Sequence, residues 1–178
     1  SALEFGKMQA QAAQLEPGER QAIAQWIALA DDAERDNWIS ANACSTRIGP
    51  IPVDGYRNWG FGVRNTRHIE HGVAIDAANI GDLELAWSLA IPQVTDMRSQ
   101  PVAAGNAVFL GTQNGNLLAL DQRSGCVFWQ FRTPGTIRSS LNLAATSDGV
   151  ATLFFADDLG TVYAVAAENG TLRWKTPV

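Results

Sequence analysis

The sequence predicts an all-β chain built from repeated units of short strands, with one helix ahead of them, and three observations carry that expectation. The first is a gapless internal repeat: Gly115-Asn-Leu-Leu-Ala-Leu-Asp-Gln-Arg-Ser-Gly125-Cys-Val-Phe-Trp129 lies over Gly160-Thr-Val-Tyr-Ala-Val-Ala-Ala-Glu-Asn-Gly170-Thr-Leu-Arg-Trp174, each pair of positions 45 apart. The second is punctuation, since short apolar runs alternate with Asn, Asp and Gly, the composition of strands joined by tight turns. The third is the spacing of Trp87, Trp129 and Trp174, 42 and then 45 residues apart. Units of 40 to 45 residues with four short strands each are the pattern of propeller blades, which bury their faces only against neighbouring blades.

The elements follow in chain order. From Leu15 to Ala30 the residues read as an amphipathic helix, with Pro17 near its start, Glu16 and Glu19 at the positive end of its dipole, and Ala22, Ile23, Trp26, Ile27 and Ala30 on one face. The character changes near residue 38, and residues 40 to 75 are aperiodic and read as loop. A partial unit ends in Leu83-Glu-Leu-Ala-Trp87. The next offers an apolar strand at Ala107–Gly111, matched later by Leu153–Ala156, a turn at Asn114-Gly115, a strand Leu117–Leu120, a turn at Ser124-Gly125 and a strand ending in Trp129. These are three strands of a four-stranded sheet, and the recurring tryptophan reads as a wedge between sheets.

Composition excludes some classes of function. The chain has 178 residues, 46% hydrophobic, enough for a sizeable core. Thirteen basic against 18 acidic residues give a net charge of −5 without a basic cluster, which removes the electrostatic footprint of a nucleic-acid or anionic-membrane partner. No apolar run has the length of a membrane span, and the N-terminus lacks the basic and apolar regions of a signal peptide. Cys44 and Cys126 do not sit at metal-site spacing; either they pair, as an oxidising compartment allows, or they are two small core residues. His68 and His71 lie in a loop without a third ligand and read as surface histidines. Asp157-Asp158 with Asp148 reads as turn residues before it reads as a cation site.

The repeat Gly-x-x-x-Ala-(Leu or Val)-x-x-x-x-Gly-x-x-x-Trp resembles that of the pyrroloquinoline quinone (PQQ) dependent alcohol dehydrogenases, with Asp121 in pattern and Ala166 out of it. Asn58-Trp59-Gly60-Phe-Gly62-Val-Arg64-Asn65-Thr66-Arg67 and Ile80-Gly-Asp-Leu-Glu-Leu-Ala-Trp87 resemble the start of that family's propeller; Arg98-Ser-Gln-Pro101 and Ile137-Arg138-Ser-Ser are most similar to the polyvinyl-alcohol dehydrogenase subgroup. The resemblance covers roughly residues 44 to 178. It implies a partial β-propeller of PQQ-type repeats from an eight-bladed parent, preceded by a short α-helical tail. Residues 1–35 are then the end of a cytochrome c-like domain and 36–178 the first blades.

The resemblance also implies chemistry. The parent would be a periplasmic quinohaemoprotein oxidising small-molecule or polymeric secondary alcohols, using PQQ and calcium, with electrons passing to haem c or an acceptor cytochrome. Arg98, Gln100, Arg138, Ser139 and Ser140, each just before the first strand of a blade, would bind PQQ, a flat polycarboxylate suited to cationic and hydrogen-bonding groups. Met8 in Gly6-Lys-Met8 would be a haem axial ligand, or else a core gap-filler. Methanol- and ethanol-oxidising relatives place a Glu where Arg98 stands and carry a vicinal Cys-Cys that is absent here, so their cofactor geometry does not transfer. The catalytic Asp and most calcium ligands fall in later blades. The rival expectation is a propeller without cofactor that acts as a binding or outer-membrane assembly scaffold. Eight blades need on the order of 340 residues, so this chain is expected to be a fragment whose open stack leaves apolar faces bare.

Overall fold

The computed structural model describes residues 13–23, 37–53, 60, 64–68 and 74–178. The chain divides into two compact units, Ser1–Ala41 and Asn42–Val178. In the first, residues 17–23 and 37–41 are helical, and Arg20 Nε donates to Leu15 O at 2.8 Å, just ahead of the earlier helix. The rest of the expected Leu15–Ala30 helix, and Met8, lie outside the described residues.

The second unit contains two four-stranded antiparallel sheets. Strands β1 (Val102–Ala104), β2 (Ala107–Gly111), β3 (Asn116–Asp121) and β4 (Val127–Arg132) make the first. The second consists of β5 (Asn142–Ala145), β6 (Ala151–Ala156), β7 (Thr161–Ala166) and β8 (Leu172–Pro177). Each sheet is a meander in sequence order, and the repeat extends to its irregularities: the β3–β4 register slips between Ala119 and Leu120, and the β7–β8 register slips 45 residues later, between Ala164 and Val165.

Burial follows from stacking one sheet on the other. Ala107, Phe109, Leu117 and Ala119 of the first sheet share a core with Leu153, Phe155, Tyr163 and Val165 of the second. Counted through the repeat, the second set falls one residue out of step with the first. Adjacent strand residues point to opposite faces, so one sheet presents its front where the next presents its back. Phe131 closes the contact, edge-on to Tyr163 at 5.9 Å and to Phe155 at 6.3 Å, while Phe155 and Tyr163 stack at 5.2 Å.

Two of the three tryptophans dock on the unit that follows, by a specific rule. Trp129 of the first sheet donates its indole N–H to Ala167 O at 3.1 Å and lies over Gly170, whose added Cβ would meet Trp129 Cε3 at 2.7 Å. One repeat earlier Trp87 donates to Gln122 O at 3.0 Å and lies over Gly125, with the corresponding distance 2.5 Å. Both glycines hold positive φ, +73° at Gly125 and +74° at Gly170, so the turn needs glycine for its backbone and the ring needs it for space. Trp174 stands at the same place in the second sheet and is 45% exposed. Leu83–Trp87, the partial earlier unit, keeps the docking rule but forms no strand among the described residues; only a 3-10 turn, Ile80–Asp82, precedes it.

A strap, residues 42–53, ties the unit together; it is loop, as expected for residues 40 to 75, apart from one isolated bridge. Ala43 bridges in parallel to Val127, with Cys44 N–H on Val127 O at 3.0 Å and Val127 N–H on Asn42 O at 2.8 Å. Cys44 and Cys126 form a disulfide, which settles the open alternative between pairing and packing. Further along, Gly49 N–H donates to Asn106 Oδ1 at 2.9 Å, and Ile48, Ile51 and Val53 pack on the core.

Two aspartates, Asp121 half-buried and Asp148 exposed, brace turns. Asp121 Oδ1 accepts Ser124 N–H at 2.8 Å, Ser124 Oγ–H at 2.9 Å and Arg123 N–H at 3.0 Å, and these bonds, the Ser124 backbone first, lower its pKa below 3.8. Asp148, bonded by Thr146 and then by Arg173, also lies well below 3.8. A carboxyl whose folded pKa is depressed lends stability above its unfolded pKa and loses it as pH falls through the folded value. The Tm is therefore expected to fall on acidification below about pH 4, and less steeply in Asp148→Asn, a comparison thermal melts between pH 5 and 2 decide.

Candidate functional site

β1 and β5 each form one edge of their sheet, the edge that a propeller turns toward its axis. The segments leading into them carry Arg98, Gln100, Arg138, Ser139 and Ser140, at the end of the sheets where the β2–β3 and β6–β7 turns lie. Arg98 is exposed, and its Nε donates to Asp96 Oδ2 at 2.6 Å. Arg138 is exposed and forms no ion pair among the described residues. Gln100 and Ser140 are partly buried, and Gln100 O accepts Leu141 N–H at 3.4 Å, which links the two lead-ins.

Ser139 is occupied differently. Its hydroxyl donates to Ala156 O at 2.8 Å and accepts Ala156 N–H at 2.9 Å, closing the end of β6. Its carbonyl accepts the hydroxyl of Ser99 at 2.8 Å. Ser99, buried between the lead-ins, is a residue the sequence reading did not single out. The signal was its place: Arg98-Ser99 and Arg138-Ser139 are the same dipeptide, one blade apart.

The neighbouring turns are built from side-chain oxygens. Thr112 Oγ1 accepts Asn116 N–H at 2.9 Å, and Asp157 Oδ1, its counterpart in the repeat, accepts Thr161 N–H at 3.0 Å. Asp157 is buried and its Oδ2 accepts the Tyr163 hydroxyl at 2.8 Å; burial, then this partner, raises the Tyr163 pKa. Asp157 and Asp158 thus act as turn residues, and Asp148 is engaged elsewhere with Thr146 and Arg173. His68 is exposed, and His71 lies outside the described residues.

Two guanidiniums stand at equivalent places on adjacent sheets, with amide and hydroxyl groups beside them and Arg98 paired with the Asp96 carboxylate; guanidiniums in general hold carboxylates through charge-assisted hydrogen bonds. Among the described residues no three His, Cys, Asp or Glu side chains group to hold a metal. Nor is there a site for covalent haem, because both cysteines of the chain are joined to each other.

Two stacked four-stranded sheets with a docked tryptophan between them define a segment of β-propeller. The chain belongs to the PQQ-type repeat family described as outer membrane protein assembly factor BamB, which residues 70–177 match. It is 29% identical over 145 residues to a polyvinylalcohol dehydrogenase of Sphingopyxis sp. (strain 113P3), covering 79% of this chain and 22% of that protein. It is 27% identical over 150 residues to outer membrane protein assembly factor BamB of Yersinia pestis, covering 82% and 34%. The chain therefore spans between a fifth and about a third of these relatives. Among solved structures, the quinohemoprotein alcohol dehydrogenase from Comamonas testosteroni shares the fold with a TM-score of 0.54 at 23% identity, over 79% of this chain and 21% of that one. No helix among the described residues is long and apolar enough to cross a membrane.

Proposed function

We propose that the chain forms the opening blades of a PQQ-dependent quinohaemoprotein alcohol dehydrogenase, acting on secondary alcohols, small or polymeric, such as polyvinyl alcohol. The observation that carries this reading is the pair Arg98 and Arg138, presented one blade apart on the axial edge. PQQ, when bound, supplies a two-electron acceptor. Arg98 and Arg138 hold its carboxylates, Gln100 and Ser140 donate hydrogen bonds beside them, and Ser139 holds the Arg138 lead-in to β6. Calcium, the base and haem c belong to parts of the whole protein beyond these two sheets, with Met8 the ligand offered from this chain. The Cys44–Cys126 bond favours an oxidising location, the periplasm.

A second reading has its own support. The family description and the match to the Yersinia pestis protein favour a propeller without cofactor that serves outer-membrane assembly as a scaffold. Titration with PQQ, followed by quenching of tryptophan fluorescence, separates the two. The dehydrogenase reading expects saturable binding that weakens at least tenfold in Arg98→Ala and in Arg138→Ala, the scale of one lost charge-assisted hydrogen bond or more. Absence of binding, or binding indifferent to both substitutions, would favour the scaffold.

A further inference from the structure

Neither arginine is placed by its own strand. Both precede the strands, in lead-ins that need an external hold, and the same hold occurs in both blades. In the first, Gln113 Oε1, on the turn after β2, accepts the main-chain N–H of Asp96 at 3.1 Å. In the second, Asp158 Oδ1, 45 residues later on the turn after β6, accepts the main-chain N–H of Thr136 at 2.7 Å. Asp96 and Thr136 each stand two residues before the arginine. An amide and a carboxylate therefore do one job at one repeat position, and what they share is a side-chain oxygen reaching across to the lead-in.

Each hold is reinforced. Asn114 Nδ2 donates to Pro92 O at 3.2 Å, bracing the turn in which Gln93 takes the left-handed φ of +59°. Asp96 then passes the constraint to Arg98 through its carboxylate. In the second blade Asp158 N–H donates to Thr136 O at 2.9 Å, and Ile137 N–H donates to Thr112 O of the first blade at 3.1 Å. Gly135 lies so close that an added Cβ would come within 2.8 Å of Asp158 Oδ1. The segment before Arg138 is thus gripped from both sheets.

We propose that Gln113 and Asp158 are positioning residues that set Arg98 and Arg138 at matched places on neighbouring blades for one polycarboxylate ligand. This rests on the dehydrogenase reading and deepens it. The test is a set of double-mutant cycles on the full chain, with PQQ as the probe and its dissociation constant as the readout. Asp158→Ala is expected to weaken PQQ about five-fold, one hydrogen bond's worth, and to have no further effect where Arg138 is already alanine. Asp158→Asn, which keeps the acceptor oxygen, should retain wild-type affinity. Gln113→Ala should couple in the same way to Arg98 and not to Arg138. A general structural role would instead give the same loss in every background, and that additivity would overturn the proposal. If Asp158→Ala does not fold, the Gln113 cycle decides alone. No binding by the wild-type chain would overturn the dehydrogenase reading and this one with it, whereas wild-type binding undiminished in Asp158→Ala and Gln113→Ala would overturn the positioning role only.

Discussion

Trp129→Ala is expected to destabilise the two-sheet unit by about 3–5 kcal/mol, the range for removing a large aromatic from a packed site. The indole packs on its own sheet and joins it to the next in two ways. Its ring lies 5.8 Å from Phe109 across its own sheet, its face covers Gly170, and its N–H donates to Ala167 O. Alanine would leave a cavity between the sheets and the carbonyl without its donor. Phenylalanine keeps most of the apolar contact but lacks the N–H, so Trp129→Phe should cost less, with a hydrogen-bond share of about 1 kcal/mol. Gly170→Ala approaches the same junction from the other side and should be nearly as damaging, since it forces a Cβ into the ring at a positive-φ position. Urea unfolding of the three variants checks the ordering. If Trp129→Ala unfolds within a few tenths of a kcal/mol of wild type, the tryptophan is not what joins the blades, and the 45-residue period needs another physical origin. Trp174 provides the internal control: its ring is half exposed, so Trp174→Ala should cost well under half as much.

The same residues show why so much of the fold could be read from the sequence. Trp129 and Trp174 recur because each blade must dock on the next, and Gly125 and Gly170 recur because nothing larger fits beneath a ring. These constraints repeat with the blade, so comparing the chain with itself exposes them. The strands between them, β3, β4, β7 and β8, carry enough apolar length to register. β1 and β5 escaped assignment because they are three and four residues long, partly alanine, and fixed by pairing with β2 and β6 rather than by any pattern of their own. Leu83–Trp87, the end of the partial unit, forms no strand among the described residues. Its sequence suits a strand, but strands form only against partners, and among the described residues it has none.

The candidate site was legible in position and illegible in support. Arg98 and Arg138 stood out as charges just before strands. Ser99, Gln113 and Asp158 did not, because their roles run through single side-chain oxygens on backbone N–H groups or carbonyls from distant turns. Gln113 and Asp158 differ in charge and in length, so no residue-type match pairs them; only their common offset of 45 residues does, once the structure shows what each oxygen reaches. Asp158 was weighed as half of an acidic pair, where its use is to seat the Arg138 lead-in.

Reducing the Cys44–Cys126 bond, or replacing both cysteines by serine, should cost about 2–5 kcal/mol. The bond spans 82 residues, so cutting it frees a long loop in the unfolded chain, and loop-closure entropy places the loss toward the upper end of that range. Ordinary urea sensitivity turns this into a midpoint lower by roughly 1–2 M. The loss should also be local in the folded state. The strap is held near its start by the disulfide and by the Asn42–Val127 and Cys44–Val127 hydrogen bonds, and farther on by Gly49 on Asn106 and by Ile48 and Ile51 on the core. Without the covalent tether, the amide of Val127 should lose protection from hydrogen exchange well before those of Leu118 and Val165, which lie in the buried third strands. Uniform loss of protection across both sheets would mean that the strap is needed for the blades to form at all. An unchanged midpoint and an unchanged Val127 amide would mean that the strap is held by its packing, and the disulfide would then lose the structural role assigned to it here.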